Sequence, residues 1–276
     1  MTETEVGYGI VGAGRLAQAI MRRLAAAGER SGLIWSRTPE RAQNLASELG
    51  WAVGSGPEEV LCGSRLTLLC TPDSELDALV QKLRLGSPLP PRVVAHCTGS
   101  RGLDPLAPLR ERGCWVGVFH PLAPVPDGDP DSLDQTYISI EADPGAQAEL
   151  RQLARRLRCQ VIELTAVDRP LYHAAAVFAG VLPVLLEEVA ERVGQAAGGG
   201  SELAAGLRAL HLASARNVER LGPLLGLSGP WRRRDEATMS AHQAALSQFD
   251  PALARLYASI QEAARPVPAD RTGQGG

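Results

Sequence analysis

Through the first 165 residues, short apolar runs alternate with stretches whose apolar positions keep helical spacing. Residues 5–12, EVGYGIVG, predict a strand running into Gly12-Ala13-Gly14-Arg15-Leu16-Ala17. An Ala/Leu-rich helix follows from about Arg15 to Ala27 and stops at Gly28. Leu33-Ile34-Trp35 reads as a second strand ending at Ser36-Arg37-Thr38. Thr38-Pro39 then opens a helix, with a hydroxyl cap before a first-turn proline. Ala42, Leu45, Ala46 and Leu49 line one face of it. A weak strand near Trp51-Ala52-Val53 precedes Leu66-Thr67-Leu68-Leu69-Cys70, a continuous apolar run suited to a parallel strand covered on both faces. Thr71-Pro72-Asp73 breaks that run, a helix extends to about Leu83, and Gly86 to Pro91 form a loop. Val93–His96 and Trp115–His120 predict two further strands, followed by a Pro/Asp-rich loop from Pro121 to Asp134. Tyr137–Ile140, a helix over 145–157 and Val161–Leu164 make a last strand–helix–strand unit. The alternation predicts an α/β fold with a doubly wound parallel sheet.

After Thr165 the period changes to helical throughout, with helices expected over 168–193, 201–221, 235–247 and 250–264. Asp250-Pro251 is a cap followed by proline. The change implies a sheet domain over 1–166, a second, all-α domain over 167–265, and a disordered tail over 266–276.

The 276 residues carry a formal charge of −3, which argues against a nucleic-acid-binding surface. Aromatics are 4% and hydrophobic residues 45%, so Ala, Leu and Val must build the core. No apolar run is expected to reach the roughly 18 residues of a membrane span. The acidic start, MTETEVGYG, lacks a signal-peptide layout, and both features predict a soluble, cytoplasmic protein with no membrane partner. The five cysteines, Cys62, Cys70, Cys97, Cys114 and Cys159, have no C-x-x-C spacing and read as reduced thiols, with no metal expected. Lys82 is the only lysine.

The chemistry begins at the glycine turn. A dinucleotide pyrophosphate must lie against bare backbone, so G-A-G-R-L-A at 12–17 supplies Gly12 and Gly14, followed by Arg15, Leu16 and the small Ala17 at the third position. The helix N-terminus adds free N–H groups for the phosphates. At the end of the second strand, where NAD binders place an acid for the ribose 2′-hydroxyl, stand Ser36, Arg37 and Thr38. An arginine flanked by hydroxyls suits a 2′-phosphate, which predicts NADP(H) over NAD(H). Ligands in such sheets sit at the carboxyl ends of the strands. Cys70-Thr71-Pro72, His96 to Ser100 (including Thr98) and His120-Pro121-Leu122 leave those ends and are expected to line the nicotinamide half of the cleft. His96 alone reads as structural, and His120 as the better site residue. Asp168 to Gly180 opens a helix on which His173 follows Arg169 by one turn, on the same face, with Tyr172 between them. Arg232-Arg233-Arg234-Asp235 lies at a turn into a helix carrying His242, and the arginine run reads either as a carboxylate anchor or as a solvated rim.

Taken together, GIVGAGRLAQAI (9–20), WSRTPERA (35–42), LLCTPD (68–73), HCTGS (96–100), FHPL (119–122), LYHAAAVFAG (171–180) and LSGPWRRRDEATMSAH (227–242) resemble a family of Rossmann-like oxidoreductases of unassigned function with a helical C-terminal domain. That family is similar to ketopantoate, pyrroline-carboxylate and deazaflavin-dependent NADP reductases. The resemblance implies a nicotinamide cofactor, a cleft between the domains and a homodimer through the helical domain. It departs from the relatives at Arg169, where they carry Lys, at Gly180-Val181, where they carry Ser-Asn, and at Arg234-Asp235, where their turn has a glycine. The expected activity is NADPH-dependent reduction of a small carboxylate-bearing ketone or imine. His173 and then His120 are the expected proton donors, and Arg169 is the expected carboxylate anchor. Thr98, Ser100, Tyr172 and Asp235 are expected substrate contacts. The missing Lys and Asn leave two alternatives, a non-catalytic NADP-binding sensor or scaffold and an NAD-dependent hydroxy-acid dehydrogenase.

Overall fold

The computed structural model describes residues 6–86 and 89–264. The chain runs β1 (Val6–Val11), α1 (Arg15–Ala26), β2 (Gly32–Trp35), α2 (Pro39–Leu49), β3 (Ala52–Val53), α3 (Pro57–Gly63), β4 (Ser64–Leu69), α4 (Leu76–Lys82) and β5 (Val93–His96). It continues through α5 (Ala107–Arg110), β6 (Trp115–Leu122), β7 (Tyr137–Ala142), α6 (Pro144–Arg156) and β8 (Gln160–Glu163). The strands form one sheet in the order β3-β2-β1-β4-β5-β6-β7-β8. Successive residues of β1 serve opposite faces. Ile10 packs with Ile20, Leu66 and Phe119, whereas Val11 packs with Val60, Leu69 and Leu106. Both faces are therefore covered, which is why β1 and β4 read as unbroken apolar runs.

The sheet is not parallel throughout. β1 to β6 are parallel, but β6 and β7 pair antiparallel, with His120 opposite Ser139. A parallel return needs a crossover of a dozen or more residues, usually a helix. The segment between β6 and β7 holds only a short 3-10 turn, Pro130–Leu133. β8 then pairs parallel to β7. Two short helices, α3 and α5, fall outside the sequence expectation because neither has enough turns to show a period. The expected cap at Thr38 is also different: its side chain makes no cap bond, and its N–H donates to Ser36 Oγ at 3.2 Å.

From Arg169 the described chain is helical: α7 (Arg169–Ala196), α8 (Ser201–Leu221), α9 (Pro223–Gly226), α10 (Gly229–Arg233), α11 (Glu236–Phe249) and α12 (Pro251–Ala263). Asp250 caps α12 by accepting from Ala252 N at 2.8 Å. The chain divides into two compact units, 1–182 and 183–276. The first thus runs past residue 166, because the opening turns of α7 pack on the sheet. The expected disordered tail lies outside the described residues. One expectation needs correction: α7 is long and apolar enough, by length and composition, to cross a membrane. Residues 170–186 carry no fixed charge, and the histidine, tyrosine and small residues among them broke up the apparent run.

Candidate functional site

The sheet order places the loop after β1 between the loops after β2 and β4. Gly12 N donates to Trp35 O at 2.7 Å, and Cys70 N donates to Val11 O at 2.8 Å, which ties the three loops together. Gly12 has φ +119°, and a Cβ there would meet the Cys70 carbonyl, so the fold itself requires glycine. Gly14 is different. It caps α1 with φ −73°, and no atom lies within 4 Å of where its Cβ would stand. Nothing in the protein demands glycine at 14, but a ligand lying on the turn would. Ala17 is fully buried where α1 packs on the sheet.

These loops wall a cavity of about 460 Å³. Gly12, Ala13 and Gly14 form one wall, Ser36, Arg37 and Thr38 another, and Cys70, Thr71 and Pro72 a third. Arg15 and Leu16 lie in the first turn of α1 and do not line it. Arg41 and Lys82 join Arg37 on the lining, as do Glu58 and Glu75. Arg37 Nη1 donates to Glu75 Oε2 at 2.9 Å. Arg41, Lys82 and Glu75 were not legible as cleft residues. The only linear signal is spacing: Arg41 follows Thr38 by three, and Lys82 follows Ala78 by four on α4. The cradle of bare backbone, helix N-terminus and cationic rim fits a phosphorylated dinucleotide. Behind the wall, Cys70 Sγ lies 3.7 Å from Cys97 Sγ, and the hydrogen bond to Cys70, together with burial, raises the Cys97 thiol pKa.

A second cluster forms at the carboxyl ends of β5 and β6. His96 Nδ1 accepts from Thr98 N at 3.2 Å, and Nε2 approaches Gly102 O at 2.8 Å, so Nε2 carries the proton. Burial lowers its pKa, and the ring is a buried loop tie. His120 Nδ1 lies 2.8 Å from Tyr172 Oη, which donates to Ser139 Oγ at 2.8 Å. Ser139 Oγ in turn donates to His120 O at 3.4 Å. Because the phenol proton goes to Ser139, His120 Nδ1 must donate to the phenol, and Nε2 keeps its lone pair. Burial, followed by the neighbouring His173 and Arg169, pushes the His120 pKa down to about 4. His120 is thus neutral at pH 7, and Nε2 accepts rather than donates.

His173 stands beside it, with ring centroids 6.0 Å apart. Gly99 makes the pairing possible, since a Cβ there would lie 2.6 Å from His120 Nε2 and 2.8 Å from His173 Cδ2. Arg169 is buried, donating through Nε to Glu141 Oε2 at 2.8 Å and through Nη2 to the same oxygen. Its guanidinium lies 5.5 Å from the Tyr172 ring centre, and only Nη1 is left buried without a partner. Thr98 Oγ1 is likewise buried and unpartnered, whereas Ser100 Oγ donates to Asp73. The structure therefore brings together His120, Tyr172, His173, Arg169 and the 96–102 loop. It adds Ser139 and Glu141 from β7, whose alternate positions share a face. Asp235 lies in the second unit, where its carboxylate caps α11 by accepting from Thr238 N at 3.1 Å and Oγ1 at 2.8 Å, bonds that lower its pKa. Among the expected anchor arginines, Arg232 Nη1 donates to the carbonyls of Leu224, Leu225 and Leu227.

No protein of established, curated function matches the sequence. Among solved structures, a candidate NADP oxidoreductase from Bacteroides fragilis superposes with a TM-score of 0.73 at 24% identity, over 94% of this chain and 97% of that one. A reductive aminase from Aspergillus terreus, solved with NADPH and ethyl-5-oxohexanoate, gives 0.69 at 17% identity, over 99% and 96%. A 1-pyrroline-5-carboxylate reductase from Streptococcus pyogenes gives 0.66 at 17%, over 94% and 96%. At these identities the likeness establishes the fold. Residues 1–121 match the model of a Rossmann-like domain, and residues 136–264 match the domain of unknown function DUF2520. Sheet unit first and helical unit second, the chain carries a Rossmann-like domain followed by a DUF2520 domain.

Proposed function

We propose that this protein is an NADP(H)-dependent reductase of a small carboxylate-bearing ketone or imine, working in the cytoplasm as a homodimer through its helical domain. The observation that carries the coenzyme reading is the pair of glycines: Gly12 is required by the fold, whereas Gly14 faces open space above the N-terminus of α1. Arg37, Arg41 and Lys82 on the same cavity support the 2′-phosphorylated coenzyme. When bound, the coenzyme supplies the hydride. The remaining work falls to the chain. His173 delivers the proton to the substrate oxygen or nitrogen. His120 Nε2 accepts a hydrogen bond from an N–H of the reacting group, which a protonated imine carries and a bare ketone lacks. Arg169 Nη1 is the guanidinium nitrogen that remains for a substrate carboxylate. Exposed apolar side chains, Phe178 on α7 and Leu210 on α8, support the dimer.

Calorimetry with NADPH and NADH, followed by NADPH oxidation against a panel of 2-keto acids and cyclic imines, tests the reading. NADPH is expected to bind at least tenfold tighter than NADH, with turnover on at least one imine. The pairing of Arg169 with Glu141 favours one competitor, a coenzyme sensor, which binding without turnover across the panel would select.

A further inference from the structure

We propose that Glu75 sets the coenzyme preference by competing with the 2′-phosphate for Arg37, an inference that rests on the coenzyme reading above. Glu75 ends the 3-10 turn Asp73–Glu75 that follows β4, and Arg37 follows β2. Nothing in the sequence pairs them. They meet because β2 and β4 flank β1, so that both loops reach the same cavity from opposite sides. The contact is a single one, Nη1 to Oε2 at 2.9 Å, and it leaves Nε and Nη2 of Arg37 without a partner among the described residues. A phosphate arriving at Arg37 therefore meets a guanidinium already half neutralised, with a carboxylate beside it.

The other rim groups differ in this respect. Glu58 also lines the cavity, but its Oε1 already accepts from Arg84 N at 3.0 Å, while the side chains of Arg41 and Lys82 have no hydrogen-bonded partner among the described residues. Glu75 is thus the acid whose removal frees a cation for the phosphate. A ligand with a plain ribose places no second phosphate there and gains nothing from the change. Because Arg37 and Glu75 are both well exposed, salt screens their interaction and the effect is modest.

The test uses the full chain with 2′,5′-ADP and 5′-AMP as probes, by calorimetry at low salt and at high salt, in the wild type, Glu75→Gln, Arg37→Ala and the double variant. Glu75→Gln is expected to bind 2′,5′-ADP about fivefold tighter, with 5′-AMP unchanged, a gain that shrinks in high salt and vanishes in the Arg37→Ala background. Unchanged 2′,5′-ADP affinity overturns the proposal. So does weakened 5′-AMP binding, which makes Glu75 a ribose ligand instead. Wild-type protein that binds neither probe nor NADPH overturns the coenzyme reading itself, an outcome distinct from either of these.

Discussion

His120 Nδ1 and the phenolic oxygen of Tyr172 lie 2.8 Å apart although 52 positions separate them in the chain. The bond closes a ring of donors, His120 to Tyr172 to Ser139 and back to the His120 carbonyl. Its consequence is directional. One imidazole tautomer is selected, and the free lone pair is Nε2, beside Gly99 and His173.

Tyr172→Phe tests that ring. It leaves Nδ1–H of a largely buried histidine without an acceptor, a loss of about 1–3 kcal/mol. In a unit of this size the thermal midpoint is expected to fall by about 3–8 °C. Nitrogen NMR of His120 should show a shift from a pure Nδ1–H tautomer toward a mixture. A spectrum identical to wild type would refute the proton assignment.

The His120 pKa also sets a pH dependence. With a folded-state value of about 4 against about 6.5 unfolded, the unfolded chain takes up the proton first as pH falls. Stability is therefore unaffected above about pH 6.5 and declines from there to pH 4, by roughly 3 kcal/mol from this group. Denaturant titrations at pH 7 and pH 4.5 measure the loss. In His120→Gln the decline should be shallower.

The two turn glycines should separate folding from binding. Gly12→Ala places a Cβ against the Cys70 carbonyl at a φ that L-residues avoid, with an expected cost of about 2–4 kcal/mol. Gly14→Val places its Cβ where no protein atom lies within 4 Å and loses only part of a helix cap, about 1 kcal/mol. Thermal melts should show a large drop for the first and a small one for the second. Calorimetry should show NADPH binding lost in Gly14→Val.

Gly99→Ala pushes on both imidazoles at once. The loop carries His96 and Thr98 in satisfied backbone contacts, so the strands should hold while the rings separate. Turnover on the imine found in the panel is expected to fall at least tenfold, with coenzyme affinity within about twofold, because a small misplacement of reacting groups costs rate before binding. Equal losses in both would place Gly99 in the fold alone.

How much of this was legible beforehand follows from the range of each interaction. The strand–turn–helix at residues 6–26, the unbroken strand Ser64–Leu69 and the helical second half are local patterns, set by which neighbours are apolar and by what glycine and proline permit. The motifs GAGRLA and WSRTPERA were equally local, and both reached the same cavity. The alternation made the whole sheet parallel, whereas the reversal of β7 depends on what the loop before it fails to form. The apolar length of α7 was missed as well, because its stretch holds a histidine and a tyrosine.

What the sequence by itself determined, then, was the order of elements, the class of fold and the glycine turn, because backbone stereochemistry and hydrophobic period act over a few residues. The tertiary structure alone decided the pairs that give the sites their chemistry: Arg37 with Glu75, Arg169 with Glu141, His120 with Tyr172 and Ser139. Charge, proton position and burial belong to contacts between distant segments. A histidine read in isolation has an ordinary pKa, and only the neighbours gathered around it by the sheet make it a neutral acceptor.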